Sequence, residues 1–191
     1  MSILSAGDLP LPWQSVDIGR AASPGLANTE SNKFIIRGTG SINGTADTAR
    51  FAYQTLAGDG EVKARILFAE NVSSLGRTGV MIRDNLGAGS AYAFMGIDTT
   101  GNYISQRRNS ASATPATVTS PASDRSAPIW VRLVRSRGWL SGYKSVDGSN
   151  WSLIDSKKVS LSTTIYFGLV SVSGDQVMPA TTIFDNVTAN P

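Results

Sequence analysis

The 191-residue chain contains no cysteine and no histidine. Disulfides and thiolate chemistry are excluded, and with them imidazole, the commonest metal ligand and proton shuttle. A serine or threonine nucleophile would lack its usual histidine base. Glutamate is confined to Glu30, Glu61 and Glu70. No apolar run reaches the roughly 18 residues that a membrane-spanning helix needs, and Met1 to Pro12 places no lysine or arginine before its apolar residues, so it does not read as a signal peptide. Charge of either sign is modest, with a formal net of +3. Arg107, Arg108, Arg132, Arg135, Arg137 and Lys144 gather on or beside strand-like segments, where they could meet phosphate or an acidic polysaccharide, although outward arginines on strands also serve as solubilising residues. No RNA-binding strand motif or helix-turn-helix spacing accompanies them, and nucleic acid is not an expected partner.

What the chain has is a succession of short segments in which apolar residues alternate: ARFAYQTL, GEVKARILF, TGVMIRD, SAYAFMGID, IWVRLVRS, GWLSGYKS, TIYFGLVSV and TTIFDNVTA. Residues two apart share a sheet face, so such segments require two sheets, or a closed barrel, to hide their inner rows. The expected fold is all-β, a two-sheet antiparallel jelly-roll-like sandwich of about twelve to fourteen strands. Nineteen glycines and eight prolines supply the turns. Residues 1–13, punctuated by Pro10 and Pro12, read as an N-terminal arm, and residues 14–189 as a single sandwich domain. The segment Gly19 to Asn32 reads as a loop, Ala57 to Gly60 as a tight turn flanked by two strands, and Asn109 to Ser126 as a surface excursion with an edge piece at Ala116 to Thr119. One helical turn is conceivable at Val72 to Leu75. Phe68, Phe94, Trp130, Phe167 and Phe184 are assigned to the core. A side chain at Gly96 would intrude on whatever crosses its strand.

INGTADTARFAYQTLAGDGEVKARI, GRTGVMIRDNLGAGSAYAFMGI, QRR, WVRLVRSRGWLSGYKSVDGSNW and IYFGLVSVSG…ATTIFDNV together resemble bacterial β-sandwich modules of the concanavalin A-like lectin/glucanase superfamily. Such modules occur beside secreted glycoside hydrolases. The resemblance implies a concanavalin A-like sandwich, an extracellular or surface-exposed setting and a carbohydrate-binding role. The family's loop before GTAD often carries an acidic residue and a tryptophan, which Gly40-Ser41-Ile42-Asn43 lacks.

Three chemistries can be weighed. Glycoside hydrolysis requires two carboxylates flanking the scissile bond; the three glutamates are not two apart on one strand as in the superfamily's glucanases, Glu61 and Lys63 could simply pair, and most aspartates sit in or beside turns. Enzymatic activity is not expected. A hard cation takes oxygen ligands, and because end strands of sandwiches in this superfamily often pair, Asp17 and Asp185 are candidate ligands for a structural calcium. Sugars lay their C–H faces on aromatic rings and their hydroxyls against amide, carboxylate and guanidinium groups. Trp139 and Tyr143, four apart on one strand face, with Tyr103, Gln106 and Arg108, form the expected ligand-binding set; Tyr92 and the Trp130–Arg132 pair are further candidates. The expected function is a non-catalytic, lectin-like module for a polysaccharide or surface glycan. The alternative is a structural assembly subunit, such as a decoration, coat or fibre protein, joined as a homo-oligomer or larger assembly through Leu4, Leu9, Leu11 and Trp13 of the arm.

Overall fold

A computed structural model describes residues 8–121 and 128–191. Fourteen strands form two antiparallel seven-stranded sheets, and no helix occurs among the described residues. Sheet I runs β1 (Gln14–Ile18), β4 (Ala49–Ala57), β13 (Thr164–Val172), β6 (Arg77–Arg83), β7 (Tyr92–Asp98), β8 (Tyr103–Arg108), β9 (Ala116–Ser120). Sheet II runs β12 (Ser152–Lys158), β11 (Trp139–Ser145), β10 (Ile129–Ser136), β5 (Gly60–Ala69), β14 (Ala180–Asn190), β3 (Lys33–Gly38), β2 (Leu26–Glu30). The two-sheet antiparallel sandwich expected from alternation is the fold observed.

The core lies between the sheets. Val62, Ala64 and Ile66 of β5 and Val131 and Leu133 of β10 face Ala52 and Leu56 of β4, Val80 and Ile82 of β6, and Phe167 and Leu169 of β13. Burying each large apolar side chain contributes about 1.5–3 kcal/mol, which is why the inner row of every central strand is apolar. Close packing also explains Gly96, where a Cβ would stand 2.1 Å from the Thr78 carbonyl oxygen on the neighbouring strand.

Several local expectations are corrected. The strands flanking Ala57 to Gly60 do not pair with each other: β4 lies between β1 and β13, and β5 between β10 and β14, so the turn crosses from one sheet to the other. Across the core β4 lies over β3, and β5 over β6. Within the expected loop Gly19 to Asn32, Leu26–Glu30 forms β2 and pairs with β3 through a turn in which Ser31 and Asn32 both have positive φ. Val72 to Leu75 contains a turn and no helix. Phe68 is 50% exposed. Opposite β14, Ile183 pairs with Phe68 while Phe184 pairs with Ile66, so Leu67 is an extra residue in β5 and the bulge turns Phe68 off the inner row.

Leu4 of the arm falls outside the described residues. The described part of the arm, residues 8–13, folds back on its own sandwich: Leu9 packs against the core, and Trp13 meets Phe34 with ring centroids 4.9 Å apart. Leu11, in contrast, is exposed.

Candidate functional site

The outer face of sheet I is not a surface. The segments after β3, β6 and β8 fold over it and close a second core of Ile18, Phe51, Met81, Tyr92, Phe94, Ile104 and Val170 beneath Ile42, Leu86 and Ala88. Its polar centre is Asp47, whose side chain is 0% exposed, as are those of Arg83 and Arg108. Arg83 donates from Nη1 to Asp47 Oδ2 at 2.6 Å, and Arg108 from Nη2 to Oδ1 at 2.6 Å and from Nη1 to Oδ2 at 3.0 Å. Both guanidinium groups also donate to loop carbonyls, Arg83 to those of Asn85 and Gly87 and Arg108 to those of Gly44, Ala88, Ser90 and Ala113, and Arg83 Nη1 reaches Met81 Sδ at 3.5 Å. Burial pushes the Arg83 pKa down and Asp47 opposes the shift. Tyr92 lies under both guanidinium groups, 4.8 Å from that of Arg108 and 5.7 Å from that of Arg83, and its hydroxyl donates to the Ile42 carbonyl at 2.7 Å. Burial pushes the Tyr92 phenol well above its usual value. Gln106 Nε2 donates to the same carbonyl at 2.7 Å and to the Tyr92 hydroxyl at 2.7 Å. Such a network pins loops; it leaves no route for a ligand.

The outer face of sheet II is open. Three of the four tryptophans, Trp130, Trp139 and Trp151, stand on it, with Tyr143. A two-residue turn at Arg137 and Gly138, with φ of 49° and 80°, sets the β10–β11 register so that Arg132 opposes Tyr143. The Arg132 guanidinium lies 5.6 Å from the Tyr143 ring and 5.6 Å from that of Trp151. Its Nε donates to Glu61 Oε2 at 3.0 Å, and Nη2 reaches the same oxygen. Beside this cluster, Arg65 lies 5.6 Å from the Trp130 ring and donates from Nε to Asp185 Oδ1 at 2.7 Å and from Nη2 to Oδ2 at 2.5 Å. That pairing holds the Asp185 carboxyl below the usual carboxylate range and raises the Arg65 pKa. Two arginine–carboxylate pairs flanked by aromatic rings thus stand side by side on adjacent strands. Arginine stems buried along aromatic faces keep such a surface ordered while leaving its edges to solvent.

Of the expected ligand-binding residues, Trp139 is 48% exposed and Tyr143 is half-buried on this face. Tyr103, Gln106 and Arg108 are not brought to them. Tyr103 is 4% exposed and points between the sheets, its hydroxyl donating to the Ser145 carbonyl at 3.3 Å. Gln106 and Arg108 point to the opposite side of β8, into the loop-pinning network, since residues three or five apart on a strand cannot share a face. Tyr92 is buried there as well. Trp130 is half-exposed on the outer row, not in the core. Glu61 pairs with Arg132 and not with Lys63.

The two proposed calcium ligands are likewise separate. Asp17 lies on β1 of sheet I, accepts from the Gly25 amide at 3.1 Å and pairs with Arg50 at 3.3 Å; Asp185 lies on β14 of sheet II and serves Arg65. Their strands do not pair, because β1 joins β4 whereas β14 joins β3 and β5. Among the described residues no group of three or more acidic side chains is placed to hold a metal ion.

Trp151, Glu61 and Arg65 stand on the open face but are missing from the expected set. The turn Ser145–Asn150 places Trp151: Asp147 Oδ1 accepts from the Ser149 and Asn150 amides at 2.8 and 2.7 Å, and Trp151 then enters β12 in phase with Leu153, which opposes Tyr143. An open cleft of about 320 Å³ at one end of the sandwich, lined by Ile66, Phe68, Asn71, Ile97, Asp98 and Ile129, is a weaker candidate. Phe68 is its single ring, and Asp98 Oδ1 is occupied by the Thr100 and Asn102 amides at 2.9 and 3.0 Å.

No protein-family model and no curated protein sequence matches the chain. Solved structures do. A functionally unknown protein from Saccharomyces cerevisiae superposes with a TM-score of 0.72 at 15% identity, covering 93% of this chain and 97% of that one. The carbohydrate-binding module CBM66 from Bacillus subtilis superposes with a TM-score of 0.60 at 15% identity, covering 94% and 95%. LamA E269S from Z. galactanivorans, crystallised with laminaritriose and laminaritetraose, gives a TM-score of 0.60 at 9% identity, covering 98% and 95%. At these identities the likeness is one of architecture: the chain has the β-sandwich fold seen in carbohydrate-binding modules and in glycoside hydrolases.

Proposed function

We propose that the protein is a non-catalytic, secreted or surface-exposed module that binds a polysaccharide on the open face of sheet II. The observation that carries this reading is the placement of Trp130, Trp139, Tyr143 and Trp151 on one open sheet face beside the Arg132–Glu61 and Arg65–Asp185 pairs. Trp139 and Tyr143, four residues apart on an extended strand, stand about 13 Å apart and would contact separate sugar units. The carboxylates and guanidinium edges supply the directional hydrogen bonds that hydroxyls need. The architectural likeness to a carbohydrate-binding module supports the same reading.

The state of the carboxylates supports binding without chemistry. Asp17, Asp47, Glu61, Asp155 and Asp185 each pair with an arginine, and Asp59, Asp84 and Glu70 accept backbone amides. Asp147, Asp175 and Asp185 are shifted downward, away from the protonated state that a glycosidic general acid requires.

A polysaccharide array probed with the native chain and with Trp139→Ala and Trp151→Ala tests the proposal. Binding by the native chain, lost in Trp151→Ala with an unchanged thermal midpoint, is expected. The absence of any glycan signal would sink it. An assembly subunit is the second reading, favoured by Leu11, which is 93% exposed beside two inward-packed arm residues; a sedimenting oligomer dispersed by Leu11→Ser would support it.

A further inference from the structure

On the same face, one row across the strands reads Leu153, Tyr143, Arg132, Lys63, Thr188. Arg132 and Lys63 are therefore directly opposite. Like charges at that separation destabilise a sheet unless something neutralises them. The available carboxylates do not complete the task. Glu61 is drawn to Arg132 and Asp185 to Arg65, both through Nε and Nη2 of the guanidinium. Lys63, half-buried between the two arginines, has no carboxylate within salt-bridge distance among the described residues. On the far side Asp185 also feels Lys33, which stands opposite Glu30 of β2. The centre of the aromatic platform thus has Arg132, Lys63 and Arg65 against Glu61 and Asp185.

From this charge pattern we infer that the polysaccharide is a uronate-bearing chain, with a sugar carboxylate seated at Lys63 between the Arg132–Tyr143–Trp151 and Arg65–Trp130 clusters. The inference rests on the binding reading above and narrows its ligand. The small surplus of charge favours this occupant over a polysulfate. With both guanidinium forks occupied, a single ammonium offers one point charge, and a densely sulfated chain would also lie against Glu61 and Asp185. One carboxylate per sugar, carried on rings with apolar faces, matches the Lys63 ammonium, which has no ion pair among the described residues, beside aromatic rings.

The test is equilibrium binding of the native chain, Lys63→Gln and Trp151→Ala to polygalacturonate, a neutral β-glucan and dextran sulfate, with thermal midpoints measured in parallel. The expected result is binding of polygalacturonate that Lys63→Gln weakens about fivefold at an unchanged midpoint and Trp151→Ala abolishes. Binding of the neutral glucan alone, lost in Trp151→Ala, would overturn the uronate inference and leave the glycan-binding reading standing. Equal binding of polygalacturonate by Lys63→Gln, or tighter binding of dextran sulfate, would overturn it as unselective charge attraction. No binding to any of the three would overturn both.

Discussion

Arginines and carboxylates stand on the outer faces of both sheets, yet they are used in opposite ways. On sheet I, Arg83 and Arg108 share one carboxylate, Asp47, with all three side chains out of water. On sheet II, Arg132 and Arg65 each have a carboxylate of their own, and side chains of both pairs remain between 16% and 32% exposed. Desolvation separates the two. A buried ion has lost several kcal/mol of hydration and must recover it from fixed partners, so both guanidinium groups of the sheet I cluster are committed to Asp47 and to loop carbonyls. At the surface, water repays most of that cost, and the same groups remain available to a ligand.

Breaking the buried side should give the largest effect. Asp47→Asn leaves two guanidinium groups without a counter-charge and should lower unfolding stability by about 3–5 kcal/mol, read as a fall in the urea midpoint. A loss below about 1 kcal/mol would mean that the loop carbonyls alone satisfy the arginines. Phe167→Ala and Ile66→Ala remove core contacts between the sheets and should each cost about 2–5 kcal/mol; an unchanged midpoint in both would contradict their burial.

Tyr92 sharpens the same side through pH. Its neutral form is favoured by burial in the folded state, so its folded pKa is raised. The unfolded chain therefore releases the proton first, and stability should fall as pH rises above the ordinary tyrosine value of about 10, by at most about 1.4 kcal/mol per pH unit from this group. Tyr92→Phe should remove that component at a cost of about 1 kcal/mol at neutral pH. The cost stays small because Gln106 still donates to the Ile42 carbonyl. Identical alkaline slopes in the two proteins would show that Tyr92 ionises as freely when folded.

The difference between the two faces was only half legible in the sequence. Alternation reveals the strands, and the Arg137–Gly138 turn carries enough information to set Arg132 opposite Tyr143. Phase along β8 likewise separates Tyr103 from Gln106 and Arg108, a constraint the expected binding set ignored. What alternation cannot reveal is whether an outward row meets water. Gln106 and Arg108 occupy outward positions, as Tyr143 does, and they are buried because Asp47, 61 residues from Arg108 in sequence, returns in a loop to cover them. The sheet change at Ala57 to Gly60 was hidden for a similar reason. A tight turn permits pairing, but whether two strands lie in one sheet or in two is decided by β10, β13 and β14, all remote in the chain.

The smallest effects should come from the open face. Glu61→Gln removes the charge of a partly exposed pair, and Asp185→Asn does the same to Arg65, so each should change stability by no more than about 1 kcal/mol. The Asp185 contribution has a definite sign. Its pKa is lowered in the folded state, so the stability it confers is present above the ordinary aspartate value of about 3.9 and lost as pH falls through the lower folded value. Asp185→Asn should therefore flatten the acid limb of the stability profile slightly while leaving the alkaline limb alone. Glu61→Gln frees one edge of the Arg132 guanidinium without unfolding the sheet, and it should strengthen attraction to an acidic chain as it weakens hydrogen bonding to neutral hydroxyls. A loss of stability on the scale of Asp47→Asn from either substitution would erase the distinction between the faces, placing the sheet II pairs among the groups that hold the fold together.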